Sequence, residues 1–92
     1  MGSFHFMFFV YIIESKSTGK WYYGSSERPE ERIKDHNGNH HHFTAGKGPW
    51  YLIFLHEFSN KKEALLFERK LKALRNKEFI KREFREFFLA PK

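Results

Sequence analysis

A chain of 92 residues holds one domain with a small core and is too short for two. Its net charge of +6 and its 20% aromatic content favour an anionic partner with stackable rings, so nucleic acid is expected ahead of free acid metabolites. The absence of cysteine excludes a disulfide framework, a thiolate nucleophile and Cys-ligated zinc, no apolar run reaches the roughly eighteen residues of a membrane span, and a soluble cytoplasmic protein is expected.

Phe6 to Ile13 is an unbroken apolar and aromatic run, the pattern of a strand covered on both faces. Ser15 to Gly19 supplies the polar, Gly-ended loop of a hairpin, and Lys20 to Gly24 returns as an antiparallel partner rich in aromatic residues. Two hydroxyls, Tyr11 and Tyr22, are thereby expected to face one pocket.

Pro29 followed by Glu30 and Glu31 starts a helix, because proline suits the first turn and carboxylates there complement the helix dipole. The helix runs to about His36, and Asn37-Gly38 reads as a left-handed stop. Arg32 and His36, four apart, share a face, while Ile33 anchors the helix to the sheet. The long polar connection from Asn37 to Pro49 has the character of a substrate-contacting loop. Its three histidines, 40 to 42, together with His36, invite a zinc reading, which the helix break and the lack of cysteine oppose.

Trp50 to Phe58 is a third strand. Asn60 and Glu63 have the form of a capping box for a helix from Lys61 to about Arg75, whose apolar stripe is Ala64, Phe67, Leu71 and Leu74. Glu68 borders that stripe, where a carboxylate costs free energy unless it is paired or binds a cation. A last helix from about Lys77 to Phe88 is capped by Asn76. With no repeat or linker, residues 1–92 read as a single α/β (α+β) domain, order β-β-α-β-α-α, with a small three-stranded antiparallel sheet flanked by helices.

These pieces together resemble the GIY-YIG nuclease domain, in the form of its small stand-alone bacterial members, over residues 8–82. Val10-Tyr11-Ile12 is similar to the first motif and Tyr22-Tyr23-Gly24-Ser25-Ser26 to the second. Arg32-x-x-x-His36-Asn37 resembles the helix motif, and Phe43 to Trp50 the approach to the third strand. Glu63-Ala64 with Glu68-x-x-Leu71-Lys72 is similar to the helix that bears the metal-binding carboxylate. There are departures: Phe9 replaces the opening glycine, Tyr23 the central isoleucine and Ser25 a lysine of repair-type members, while Asn76 lies only eight residues beyond Glu68.

The resemblance implies a metal-dependent DNA endonuclease, with RNA a lesser alternative and a role in repair or recombination. One magnesium or manganese ion would be held by Glu68 with water and phosphate completing its shell. Arg32 would bind the scissile phosphate, Tyr22 or Tyr11 would orient or deprotonate the attacking water, and His36 would relay a proton or bond a tyrosine hydroxyl. The basic residues Lys47, Lys70, Lys72, Arg75 and Lys77 are expected to line the nucleic-acid approach. A monomer or weak homodimer without membrane contact is expected. Two rivals compete: a binding module that has lost cleavage, and an interaction domain docking through Phe84, Phe87 and Phe88.

Overall fold

The computed structural model describes residues 7–38 and 43–89. Three strands, β1 (Phe8–Ser15), β2 (Trp21–Ser26) and β3 (Trp50–Phe58), form an antiparallel sheet in the order β2-β1-β3. Helices α1 (Pro29–Asn37), α2 (Lys61–Leu74) and α3 (Lys77–Glu83) flank it, which is the expected order.

The unbroken apolar run of β1 follows from its central place. Val10 and Ile12 face a core with Phe54, Ala64, Leu71 and Ile80, whereas Tyr11 and Ile13 face a second cluster with Trp50, Tyr22, Ile33, Leu52 and Leu55. Alternate residues of a strand point to opposite faces, so each face of β1 has a helix layer to cover it. Helices α2 and α3 supply the first layer and α1, through Ile33, the second. The hairpin turn closes with Gly19 at φ +76, a left-handed conformation that glycine adopts without a Cβ penalty.

Two helix ends differ from the sequence reading. Gly38 has φ −84 and is not left-handed; its N–H bonds the Lys34 carbonyl at 2.8 Å. The side chain of Asn37 is committed elsewhere: its Oδ1 accepts from Trp50 N at 2.6 Å and its Nδ2 donates to Trp50 O at 3.1 Å. That clamp keeps Asn37 helical and ends α1 against β3.

The second correction concerns the last helix, which stops at Glu83 rather than near Phe88. A 3-10 turn at Arg85–Phe87 bends the chain so that Phe88 bridges Phe54 and Leu89 N donates to the Ile53 carbonyl at 2.9 Å. Ile53 is the extra residue of a bulge, since Ile12 pairs with Phe54 and Ile13 with Leu52. Pairing its carbonyl and packing Phe87 and Phe88 edge-to-face against Phe54 outweigh one more helical turn. The rings of Phe84, Phe87 and Phe88 thus pack on the core, which removes the surface the docking rival requires.

The Asn60 cap is present, accepting from Glu63 N at 2.9 Å, and Asn76 caps α3 by accepting from Phe79 N at 2.9 Å. Helix α2 ends in a left-handed Arg75, φ 49. Among the described residues, no helix is long and apolar enough to cross a membrane.

Candidate active site

Tyr11 sits opposite Gly24, and Tyr22 opposite Ile13, so both tyrosines lie on the face covered by α1. The Tyr11 ring occupies the space above Gly24: a Cβ there would stand 2.5 Å from its Cζ and its hydroxyl oxygen. Only glycine permits this packing. The expected sharing of one pocket by the two hydroxyls is therefore a consequence of register plus one missing side chain.

Helix α1 brings His36 beneath both rings. Its Nε2 is 3.0 Å from the Tyr11 hydroxyl, its ring lies 4.7 Å from that of Tyr22, and its Nδ1 is 2.8 Å from the hydroxyl of Thr44. Tyr11, His36 and Thr44 are all buried. One turn earlier, the Arg32 guanidinium stands near the Tyr11 hydroxyl, where it favours the ionised phenol, and makes a loose 3.9 Å ion pair with Asp35.

Thr44 is fixed by its backbone. Its carbonyl accepts from Trp50 Nε1 at 3.1 Å and Lys47 N at 3.2 Å, while the Lys47 carbonyl accepts from the hydroxyls of Ser15 and Ser17. The connection before β3 is thereby stapled to the β1–β2 hairpin. Sequence reasoning quoted Phe43 to Trp50 as a motif but gave no role to Thr44; its only signal was a hydroxyl residue inside a Gly- and His-rich loop. His40 to His42, and with them the zinc reading, lie outside the described residues.

Helix α2 turns Glu68 toward the tyrosines. Its carboxylate is only 14% exposed and pairs with Lys72 Nζ at 2.7 Å, the i,i+4 contact of a helix. The Glu68 charge acts on both tyrosine hydroxyls, and that of Lys72 on Tyr22. Burial dominates the titration: it pushes Tyr11 up to about 12, outweighing the opposing influence of the Arg32 guanidinium, and it raises Tyr22 as well. A tyrosine base activated by Arg32 alone is therefore not what this geometry provides; both phenols stay protonated at neutral pH.

The basic residues divide by location. Lys72 stands beside Glu68, and Lys47, on the connection, donates to the Phe43 carbonyl at 3.2 Å. Lys70 lies over Phe84, and Lys77 lies over Trp21 and donates to the Gly19 carbonyl at 2.9 Å, both against the apolar core layer. Arg75 forms the end of α2.

Among the described residues, no three His, Asp or Glu side chains gather into a metal cage. The donor set is one largely buried hard carboxylate, Glu68. That suits a magnesium-type ion, which keeps several waters and needs few protein ligands.

The family model of the GIY-YIG catalytic domain matches residues 7–83. The chain is 39% identical over 67 residues to the UPF0213 protein BH0048 of Halalkalibacterium halodurans, an alignment spanning 72% of this chain and 70% of that one. It is 36% identical over 70 residues to the structure-specific endonuclease subunit slx1 of Xenopus laevis, covering 71% of this chain and 25% of the slx1 protein, so it spans a quarter of that relative's length. The solution NMR structure of UPF0213 protein BH0048 from Bacillus halodurans has the same fold, with a TM-score of 0.50 at 36% identity, over 78% of this chain and 77% of that one.

Proposed function

The chain belongs to the GIY-YIG family, and from that premise we propose that it is a metal-dependent endonuclease that hydrolyses phosphodiester bonds in DNA. The observation that carries the reading is the convergence of Arg32, Tyr11, Tyr22, His36 and Glu68, drawn from β1, β2, α1 and α2, on one patch of the sheet. Packing alone gives no reason to aim a guanidinium, a carboxylate and two phenols at one point.

Hydrolysis forms a bond from water oxygen to phosphorus and breaks the bond to the leaving oxygen, with one proton removed from water and one supplied to the leaving group. Arg32, as a guanidinium, donates to the phosphate oxygens and balances the charge that grows there. Tyr22 is half-buried and so reaches solvent and substrate; being protonated, it orients the water by hydrogen bonding. Tyr11 is closed off behind it and connects the reacting group to His36. Imidazole is the side chain whose ordinary titration range lies near neutrality, which suits it to hold the proton in transit. Glu68 would hold a magnesium or manganese ion, which when bound neutralises phosphate charge and acidifies its water.

The substrate is proposed to be branched, damaged or single-stranded DNA met during repair or recombination in the cytoplasm, with the chain acting as a monomer or weak homodimer. The slx1 relative is a structure-specific endonuclease subunit, which supports a structured substrate. A bare domain also offers few elements for reading base edges. The test incubates the protein with plasmid, single-stranded and branched DNA in magnesium or manganese, beside Glu68→Gln and Arg32→Ala. Cleavage should fall by roughly 10²–10³-fold in each variant, and to background with a chelator. Salt-sensitive binding without cleavage by all three proteins would leave a binding module and end the nuclease reading.

A further inference from the structure

The hydrogen bonds around Tyr11 fix more than its position. Its hydroxyl is buried in a residue only 1% exposed, so its proton requires an acceptor within the protein. The nearby Arg32 guanidinium carries only donors and has no acceptor to offer. The acceptor is then His36 Nε2, at 3.0 Å. A neutral imidazole that accepts at Nε2 carries its hydrogen on Nδ1, and Nδ1 faces Thr44 Oγ1 at 2.8 Å. Every direction in the chain follows from the need of the buried phenol proton for an acceptor.

We propose that Thr44 is a positioning residue of this site: its hydroxyl oxygen accepts from His36 Nδ1–H and so holds the bare Nε2 toward Tyr11. The inference rests on the nuclease reading for its catalytic consequence, though not for the tautomer itself. Thr44 can serve because it is immobilised from three sides, through Trp50 Nε1, the Lys47 amide and the staple of Lys47 to Ser15 and Ser17. With Nε2 bare, Tyr11 can take a proton from the substrate side while passing its own to His36; no charge need rest on the phenol. The resulting imidazolium donates from both nitrogens, to Tyr11 and to Thr44. Reversing the tautomer blocks that transfer, because Nε2 would already carry hydrogen.

The experiment is nitrogen-15 NMR of the His36 ring in the wild-type chain, in Thr44→Val and in Thr44→Ser, without metal or DNA, followed by cleavage kinetics on the same samples. The wild type should show a protonated Nδ1 and a bare Nε2. Thr44→Val, which keeps the shape and loses the acceptor, should shift the ring toward the Nε2–H form and lower kcat by roughly 10²-fold with little change in KM for DNA. Thr44→Ser should restore both. A wild-type ring protonated on Nε2 overturns the proposal, and it does so even if Thr44→Val fails to fold. So does a folded Thr44→Val that keeps the wild-type tautomer and rate. The predicted tautomers without cleavage by any sample would uphold the role of Thr44 in the site and defeat the nuclease reading alone.

Discussion

The two faces of the sheet are built from neighbouring residues of the same strands, yet they obey different rules. Toward α2 and α3, Val10, Ile12, Phe54, Ala64, Leu71 and Ile80 form a core, and among the described residues the buried polar side chains, Ser15, His36 and Thr44, lie elsewhere. Toward α1, Tyr11 and Ile13 share their layer with buried His36, Thr44 and Ser15, whose polar atoms are engaged in directed hydrogen bonds. Burial of apolar area is non-directional, so the first face needs volume and little else. The second face must place particular atoms within tenths of an ångström, which is what the proposed chemistry demands and stability alone does not. One residue of shift along β1 exchanges the two.

If the faces are separable, the largest change in stability should come from the first with no change in the chemistry of the second. Phe54 is fully buried and touches the rings of Phe67, Phe87 and Phe88. Phe54→Ala should cost about 3–5 kcal/mol in denaturant unfolding. In the fraction that remains folded at low temperature, the His36–Tyr11 hydrogen bond and the cleavage rate should persist. A loss of that bond in the folded fraction would show that the core layer sets the site's geometry.

On the second face, the next largest effect is electrostatic. Burial holds the Tyr11 pKa near 12 against 10.0 in the ordinary state, so the folded protein keeps this proton where the unfolded chain has released it. The stabilisation is complete below pH 10 and is lost as the pH climbs through about 12, roughly 2–3 kcal/mol in all. Burial raises Tyr22 and Tyr23 in the same direction, so they add to the alkaline loss. Urea titrations of wild type and Tyr11→Phe across this range should converge as the pH rises. Parallel curves would mean that Tyr11 titrates as an exposed phenol and that the polar face is not closed.

A smaller effect is expected at Gly24, where the two demands meet. Gly24→Ala puts a methyl 2.5 Å from a Tyr11 ring whose hydroxyl is held by His36, so the ring must shift. We expect a stability loss of about 1–3 kcal/mol. The loss should be accompanied by a break in the Tyr11–His36 bond, visible in the imidazole NMR signals. A stable variant with that bond intact would show that the face has slack.

How much of this was legible in the sequence follows the same division. The strands, the fold and both asparagine caps were readable because apolar runs and capping residues act locally. Tyr11, Tyr22, Arg32, His36 and Glu68 were singled out as candidates through the order of motifs, and the structure brings the five side chains near one another. What stayed hidden depends on contacts far apart in sequence. Thr44 acquires its role from a ring eight residues away on another element, and Asn37 from the backbone of Trp50. The last helix stops early because the Ile53 carbonyl needs Leu89 N, a demand created by a bulge that no periodicity announces.

The smallest effects separate the lysines, and they test whether nucleic acid meets one face or both. Lys72 stands at the site beside Glu68, whereas Lys77 is engaged on the other side, 5.1 Å from the Trp21 ring centroid and bonded to the Gly19 carbonyl. Each phosphate contact contributes about 0.9 to the slope of log affinity against log salt. Lys72→Gln should therefore flatten that slope by about one unit. Lys77→Gln should leave the slope unchanged and lower stability by about 0.5–1 kcal/mol through the lost cation–π contact. Equal flattening by both variants would mean that the nucleic acid wraps past the edge of β2 onto the core side. In that case the basic face is continuous around the molecule, and separation of the two faces holds for packing and chemistry but not for binding.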